Sequence, residues 1–314
     1  MSDFAIYEMA LLFPDGDPVA RGVIKQQPED FYVEELWTEP FSGSGEHVML
    51  WLEKTGQNTE YVARQLARAA GVRDMDIGYS GLKDRWAVTR QWFSVYLGNK
   101  PEPDWQNVSL EGVSILAVTR HHKKLRRGEH GGNLFRLTIR SLQQAEGVDS
   151  ALQQIQQRGF PNYFGEQRFG REGQNLHRAE ALFERRIKAS SSQRAFYLSA
   201  VRAYLFNLNL SREVERGAWQ DHATGGPLYG DAQPEVSPLT DEERAVLDAH
   251  PLFAQGIHQN RMKMMRRPYG VLPQAMSWHI EDDMLRLEFV LPPGAFATTL
   301  LQCVLRTESP GLDP

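Results

Sequence analysis

The order of strand-like and helix-like segments constrains the fold of this chain more than any other feature. Alternating or β-rich residues predict five strands, at 31–36, 47–52, 91–97, 133–140 and 284–291. Stretches rich in Ala, Leu, Gln, Glu and Arg predict three long helices before the last strand, at 151–158, 177–187 and 192–216. Strand-rich sequence on both sides of a helical stretch indicates an α+β domain with a helical insertion.

Local signals mark the ends of further elements. Asn58 can cap a helix that Gly71 closes, and residues 217–239 are dense in Gly, Pro and Asp, which predicts loops. The turn residues at 292–294 end the last strand before a helix predicted at 296–305.

Composition excludes several classes of protein. Hydrophobic residues make up 41% of the 314 residues and charged residues 24%, so the chain should fold. The single cysteine, Cys303, excludes an internal disulfide and a multi-cysteine zinc site, and favours the cytoplasm. We expect neither a signal peptide nor a membrane span. The net charge of −5 argues against broad nucleic-acid binding but allows local basic patches.

The stretch GYSGLKDRWAVTRQ at 78–91 places one carboxylate, Asp84, among the cations Lys83, Arg85 and Arg90. Asp84 could be a turn or salt-bridge aspartate. It could also be a base or nucleophile that acts on a negatively charged substrate, because aspartate is ionised at neutral pH. Spacing alone does not choose between these roles.

Two clusters could contact RNA. The first contains Lys123, Lys124, Arg126 and Arg127, which lead into the glycines at 131 and 132 and could cradle phosphates; the alternative is a solvated loop. Three nearby histidines could suggest a metal, but adjacent histidines point apart on a strand and no acidic partner has ligand spacing, so we expect none. The three are His121, His122 and His130.

The second cluster, at 161–173, mixes aromatic residues with Arg168, Arg171 and several glycines. Rings that stack on bases and guanidinium groups that bind phosphates suit RNA. A buried aromatic hinge between domains would give the same composition.

Five stretches together resemble the tRNA pseudouridine synthase D family. They stand in the family's order and are 25–35, 81–91, 132–135, 162–170 and 291–298. The sequence departs from the family pattern at two places, one of them a pair of residues. Ser80 replaces the usual alanine, and Gln302-Cys303 replaces the frequent Arg-Glu, which puts in doubt a salt bridge at that helix.

The resemblance implies a V-shaped α+β protein with a mostly antiparallel catalytic sheet. The catalytic domain would comprise residues 1–158 and 271–314, and the insertion domain residues 159–270. It also implies isomerisation of uridine to pseudouridine at position thirteen in the D-arm of tRNA, without a cofactor or metal. We therefore expect a monomeric cytoplasmic enzyme whose partner is tRNA.

The resemblance also assigns roles to residues. Asp84 would be the catalytic aspartate, which attacks the sugar or the ring, or removes a ribose proton so that a glycal forms. Phe31, Asn133 and Phe296 would contact the target nucleotide. Two further residues, Phe135 and Lys25, would pack against the base and lie beside the aspartate, respectively.

Other interpretations remain open at this point. Each phenylalanine could be a core residue. A tRNA-binding or chaperone-like protein without activity could keep the same scaffold, although an anion at its RNA-facing centre would bring no benefit. The retention of Asp84 therefore favours the enzyme.

Overall fold

The computed structural model describes residues 11–220 and 225–309, without the side chain of Arg171. These residues form two compact units. The sheet unit comprises residues 19–148, 273–294 and 305–309, and the helical unit comprises residues 11–18, 149–220, 225–272 and 295–304. The domain limits expected from the sequence, at 158/159 and 270/271, stay a prediction.

The described residues contain strands and helices that we number in chain order. The strands are β1 (Arg21–Val23), β2 (Phe31–Leu36), β3 (His47–Thr55), β4 (Ile77–Tyr79), β5 (Val88–Tyr96), β6 (Val113–His121), β7 (Gly132–Gln143), β8 (Phe160–Pro161), β9 (Gly226–Leu228), β10 (Met265–Arg267), β11 (Gly270–Val271), β12 (Gln274–Glu281), β13 (Met284–Leu291) and β14 (Arg306–Glu308). The α-helices are α1 (Thr59–Ala70), α2 (Val148–Arg158), α3 (Gln174–Phe183), α4 (Ser191–Glu215), α5 (Asp241–Asp248), α6 (Pro251–Gln259) and α7 (Ala297–Gln302). Short 3₁₀ helices lie at Pro28–Asp30, Asp74–Asp76, Trp105–Asn107, Glu166–Arg168 and Arg171–Gly173.

The sheet unit is built on one twisted sheet in the order β12-β13-β7-β2-β5-β3-β6, with β1, β14 and β4 added beside this path. β2 pairs parallel with β5, and β1 pairs parallel with β14. The other pairings of the sheet are antiparallel. The fold is therefore mixed α+β with a mostly antiparallel sheet, as the sequence predicted.

Helix α1 covers one face of this sheet. Alternation along β3 directs Val48, Leu50 and Leu52 to that face, where they pack with Val62 and Leu66 of the helix. The two helix residues are one turn apart and fully buried, so they form an apolar stripe. The helix ends as predicted, because Gly71 adopts the left-handed conformation (φ 61°).

The helical unit packs around α4. Ser190 caps this helix through a capping box with Gln193, and the helix buries twelve of its side chains against α3, α5 and α6. Asn207 of α4 donates to the carbonyl of Phe164 (3.0 Å) and accepts from its amide (2.9 Å). This pair of bonds fixes the segment that follows β8 against the helix.

Two sequence predictions need correction here. Residues 217–239 were expected to be loops, but β9 lies within them and pairs with β10, because a three-residue strand gives no usable period. The final helix is also shorter than predicted: it begins at Ala297 and ends at Gln302. No helix within residues 11–220 and 225–309 is both long and apolar enough to span a membrane.

Candidate active site

Asp84 lies in the irregular segment between β4 and β5, and a buried lysine binds its carboxylate. Lys25 Nζ donates to Asp84 Oδ2 at 2.7 Å, and the side chain of Lys25 is 5% exposed while that of Asp84 is 38% exposed. The same ammonium lies 4.2 Å above the ring centroid of Phe31. Lys25 has φ 56°, a strained backbone for a residue with a side chain. The segment therefore exposes the Asp84 carboxylate to solvent, and buried Lys25 binds one of its oxygens.

A second lysine, Lys54 at the end of β3, holds the backbone of the same segment. Its Nζ donates to the carbonyls of Asp84 (2.8 Å) and Gln57 (2.8 Å), and lies 3.4 Å from that of Lys83. Lys54 is 1% exposed. Burial lowers the pKa of Lys54 to about 8, an effect that the negative charge of Asp84 opposes.

A third lysine, Lys83, connects the segment to β2 and β7. Its Nζ donates to Asn133 Oδ1 at 2.6 Å and lies 3.3 Å from Glu35 Oε2, a contact that is an ion pair rather than a well-directed hydrogen bond. The other carboxylate oxygen of Glu35 accepts from the amide of Trp92. Burial raises the pKa of Glu35 and lowers that of Lys83, and each partner opposes the shift of the other.

The lysine contact fixes the orientation of the Asn133 amide. Because Oδ1 accepts from Lys83, Nδ2 faces Nε2 of His130 at 3.3 Å. Burial, with the charge of Lys83, lowers the pKa of His130 to about 4, so the imidazole is neutral near pH 7. Its Nε2 then accepts from the asparagine and its Nδ1 carries the proton.

The predicted nucleotide contacts Phe31 and Phe135 lie on the buried face of the sheet. They are 3% and 8% exposed, and their rings meet edge to face at 6.3 Å between centroids. Phe135 also stacks on Phe289 at 5.3 Å. Both rings therefore belong to the core of the sheet unit, and their contact with a nucleotide stays a prediction.

The basic loop, residues 122–131 between β6 and β7, lies beside the Asp84 segment. The amide of Gly128 donates to the carbonyl of Ser80 at 2.8 Å. Arg127 stacks over the ring of Tyr79 at 4.2 Å and donates to its hydroxyl, and Lys124 Nζ donates to a backbone carbonyl. Lys123 and Arg126 are exposed. The loop therefore contacts the Asp84 segment at Ser80 and carries exposed positive charge.

The remaining predicted residues belong to the helical unit. Phe296 is half-buried and lies 6.2 Å from the ring of Phe164. The guanidinium groups of Arg168 and Arg267 lie 5.7 Å and 4.1 Å from the centroid of that same ring. Burial lowers the pKa of Arg168, and lowers that of Arg267 to about 9 with the help of the neighbouring arginine. The side chain of Arg171 lies outside the described residues.

Sequence reasoning assigned no role to Lys54 or Glu35, considered Lys83 only as a cation flanking Asp84, and considered His130 only as a possible metal ligand. The signal for Lys54 was available, since it follows Val48, Leu50 and Leu52 at alternate positions of one strand and so had to point into the core. Among the described residues, no group of three or more His, Cys, Asp or Glu side chains is arranged to hold a metal ion.

Comparisons with known proteins identify the family to which the chain is similar. The family model of tRNA pseudouridine synthase D (TruD) matches residues 9–191, more than half of the chain. The tRNA pseudouridine synthase D of Hydrogenovibrio crunogenus is 36% identical over 92% of this chain and 94% of its own length. That of Aeromonas hydrophila is 38% identical over 95% of this chain and 94% of its own length.

A solved structure supports the fold. A crystal structure from Methanosarcina mazei that carries the same family name superposes with a TM-score of 0.67 and covers 96% of this chain and 98% of its own chain. Because the two sequences are only 19% identical, this likeness supports the fold alone. The family model and the full-length similarity to the bacterial relatives show that the chain belongs to the tRNA pseudouridine synthase D family.

Proposed function

We propose that this chain isomerises uridine to pseudouridine at position thirteen in the D-arm of tRNA, with Asp84 as the catalytic aspartate. Family membership supports the reaction class, since the relatives are named tRNA pseudouridine synthase D. The observation that carries the assignment of Asp84 is its 2.7 Å contact with buried Lys25, which leaves the rest of the carboxylate open to solvent.

The chemistry requires a carboxylate that can reach the target nucleotide. Uridine becomes pseudouridine when the bond from the ribose to the ring nitrogen breaks and a bond from the ribose to ring carbon five forms. The carboxylate can add to the sugar or the ring, or can remove a ribose proton, and each route uses its negative charge. Lys25 keeps that charge in place through its short ion pair.

The target base must leave its helix before it can react, and unstacking costs a few kcal/mol. The contacts of Asn133 with Lys83 and His130 fix the orientation of its amide, which supports a role in holding the flipped base. In this proposal Asn133, Phe31 and Phe296 contact the flipped nucleotide, and Phe135 supports Phe31 from within the core. The exposed cations of the basic loop bind tRNA phosphates.

The test compares wild type, Asp84→Asn and the matched control Asp74→Asn, an exposed aspartate of the same unit. The substrate is a tRNA transcript with tritium at carbon five of its uridines, because that hydrogen is released when carbon five bonds to the ribose. We expect Asp84→Asn to lose turnover while its tRNA affinity stays within about twofold, since the amide keeps the shape and loses the charge. We expect the control to match wild type.

Three outcomes would count against this proposal. Near-normal release by Asp84→Asn would exclude the aspartate mechanism. Unchanged release from a transcript that lacks uridine at position thirteen would exclude the proposed target. A wild-type protein that binds tRNA but releases no tritium would favour the inactive tRNA-binding alternative.

A further inference from the structure

We propose that Lys54 is a positioning residue for the reaction: its buried ammonium group holds the backbone of Lys83 and Asp84 so that the catalytic carboxylate faces the substrate. The inference rests on the proposed function of Asp84. It assigns a role to a side chain that contacts the backbone of the catalytic aspartate rather than its carboxylate.

The geometry around Lys54 suits an ammonium group and no other form of the side chain. Three carbonyl oxygens surround its Nζ, two at 2.8 Å and one at 3.4 Å. An ammonium group has three N–H donors and no acceptor, which matches three carbonyls. A neutral amine has two donors and a lone pair, so one carbonyl would lose its donor and face that lone pair. A lysine that is 1% exposed has no water to take over the missing bond.

The segment that carries Asp84 needs such a contact. Residues 80–87 have no strand or helix of their own, so few backbone bonds define their path. Thr59 Oγ1 accepts from the amide of Lys83 at 3.0 Å, while Lys54 binds the carbonyls of Lys83 and Asp84. Because the direction of a side chain follows from its backbone, these bonds aim the Asp84 carboxylate. A misplacement of about 1 Å can cost about 10²-fold in rate.

The protonation state of Lys54 depends on the charged groups that surround it. Lys83 and Asp84 face it from the segment itself, with Lys25 paired to Asp84 and Glu35 paired to Lys83. Burial lowers the pKa of Lys54 to about 8, and the charge of Lys83 adds to this effect while that of Asp84 opposes it. The ammonium group is therefore lost progressively as the pH rises from about 7 to about 9. The alignment of Asp84 should be lost with it.

The experiment measures single-turnover pseudouridine formation and tRNA affinity for wild type, Lys54→Met and Lys100→Met, an exposed lysine of the same unit. We expect Lys54→Met to react about 10²-fold more slowly at pH 7 with affinity within about twofold. Wild type should slow about tenfold between pH 7 and pH 9. The residual rate of Lys54→Met should stay constant over that range, and Lys100→Met should follow wild type.

Different results would contradict the inference. A wild-type rate for Lys54→Met removes any need for the ammonium group, and a wild-type profile that is flat to pH 9 refutes the expected loss of that group with rising pH. A fall that persists in Lys54→Met assigns the titration to Lys83 instead. If circular dichroism shows that Lys54→Met does not fold, Lys54→Gln replaces it and the rate of that variant relative to wild type decides. An inactive wild type refutes the proposed function, and the role of Lys54 with it, whereas equal rates in active proteins refute the role alone.

Discussion

The buried ion pair of Glu35 and Lys83 makes the sheet unit sensitive to one isosteric substitution. The two side chains are 0% and 5% exposed, and their charged atoms are 3.3 Å apart. Glu35→Gln keeps the size of the side chain and an acceptor for the Trp92 amide, but removes the carboxylate paired with the buried Lys83 ammonium, which then has the weaker influence of Asp84. Removal of one partner from such a pair costs about 3–5 kcal/mol, and because the acceptor is retained we expect a loss of about 3 kcal/mol.

Glu288→Gln provides the matched control, because Glu288 forms an ion pair with Arg136 of the neighbouring strand on the open face of the same sheet. The side chains of that pair are 43% and 54% exposed. Solvent screens exposed pairs, so we expect the control to lose less than about 1 kcal/mol. Urea unfolding followed by tryptophan fluorescence measures both variants, since Trp219 is the one tryptophan of the seven that lies outside the sheet unit.

The pH dependence gives a second readout of the same pair. Burial lowers the pKa of Lys83 in the folded protein, and the charge of Glu35 opposes this shift. Without that charge, the pKa of Lys83 falls further. Between that pKa and the unfolded value of about 10.4, the unfolded chain binds more protons, so stability rises with pH. The defect of Glu35→Gln relative to wild type should therefore shrink between pH 7 and pH 10. A defect as small as that of Glu288→Gln, or one independent of pH, would refute a charged pair.

Four further substitutions test an ion pair of the sheet unit and the cations of the basic loop. Arg140→Met removes three guanidinium contacts of 2.8–3.0 Å from Asp30, which is 2% exposed, and urea unfolding should show a loss of about 2–4 kcal/mol. In the basic loop, Lys123→Ala and Arg126→Ala should each make the fall of log affinity for tRNA with log salt less steep by about one unit. Slopes equal to that of wild type would show that neither cation lies in the interface. Lys124→Ala should change the slope less, because its Nζ already donates to a backbone carbonyl.

The parts of the fold that the sequence predicted are those where burial alternates with the element's own period. β2 and β13 have the predicted limits, and the exposure of their residues alternates along each strand. β6 and β12, the two end strands of the main sheet order, were not predicted, although Met276, Trp278 and Ile280 alternate with polar residues along β12. Most side chains of these two strands are at least partly exposed, so their alternation is between half-buried and exposed residues and gives a weaker pattern than that of β2 and β13.

The contacts of the candidate site could not follow from local patterns. Lys25 and Asp84 are separated by 59 residues in the chain, and Lys83 and Asn133 by 50. Pairing of β2 with β7 brings Glu35 opposite Asn133, so the register of the sheet determines which side chains meet. Only the family resemblance placed Lys25 beside Asp84 beforehand, and it named neither Lys54 nor His130.

The local charge balance of the site also differs from that of the whole chain. Around the segment of residues 80–87, the buried ammonium groups of Lys25, Lys54 and Lys83 face two carboxylates, those of Asp84 and Glu35. This cluster carries a net charge of about +1, and buried charges act more strongly than exposed ones because water screens them less. The total of −5 is spread over exposed side chains that solvent and salt screen. An anionic substrate near Asp84 would therefore meet a positive local field, which is why the acidic composition does not oppose tRNA as the substrate.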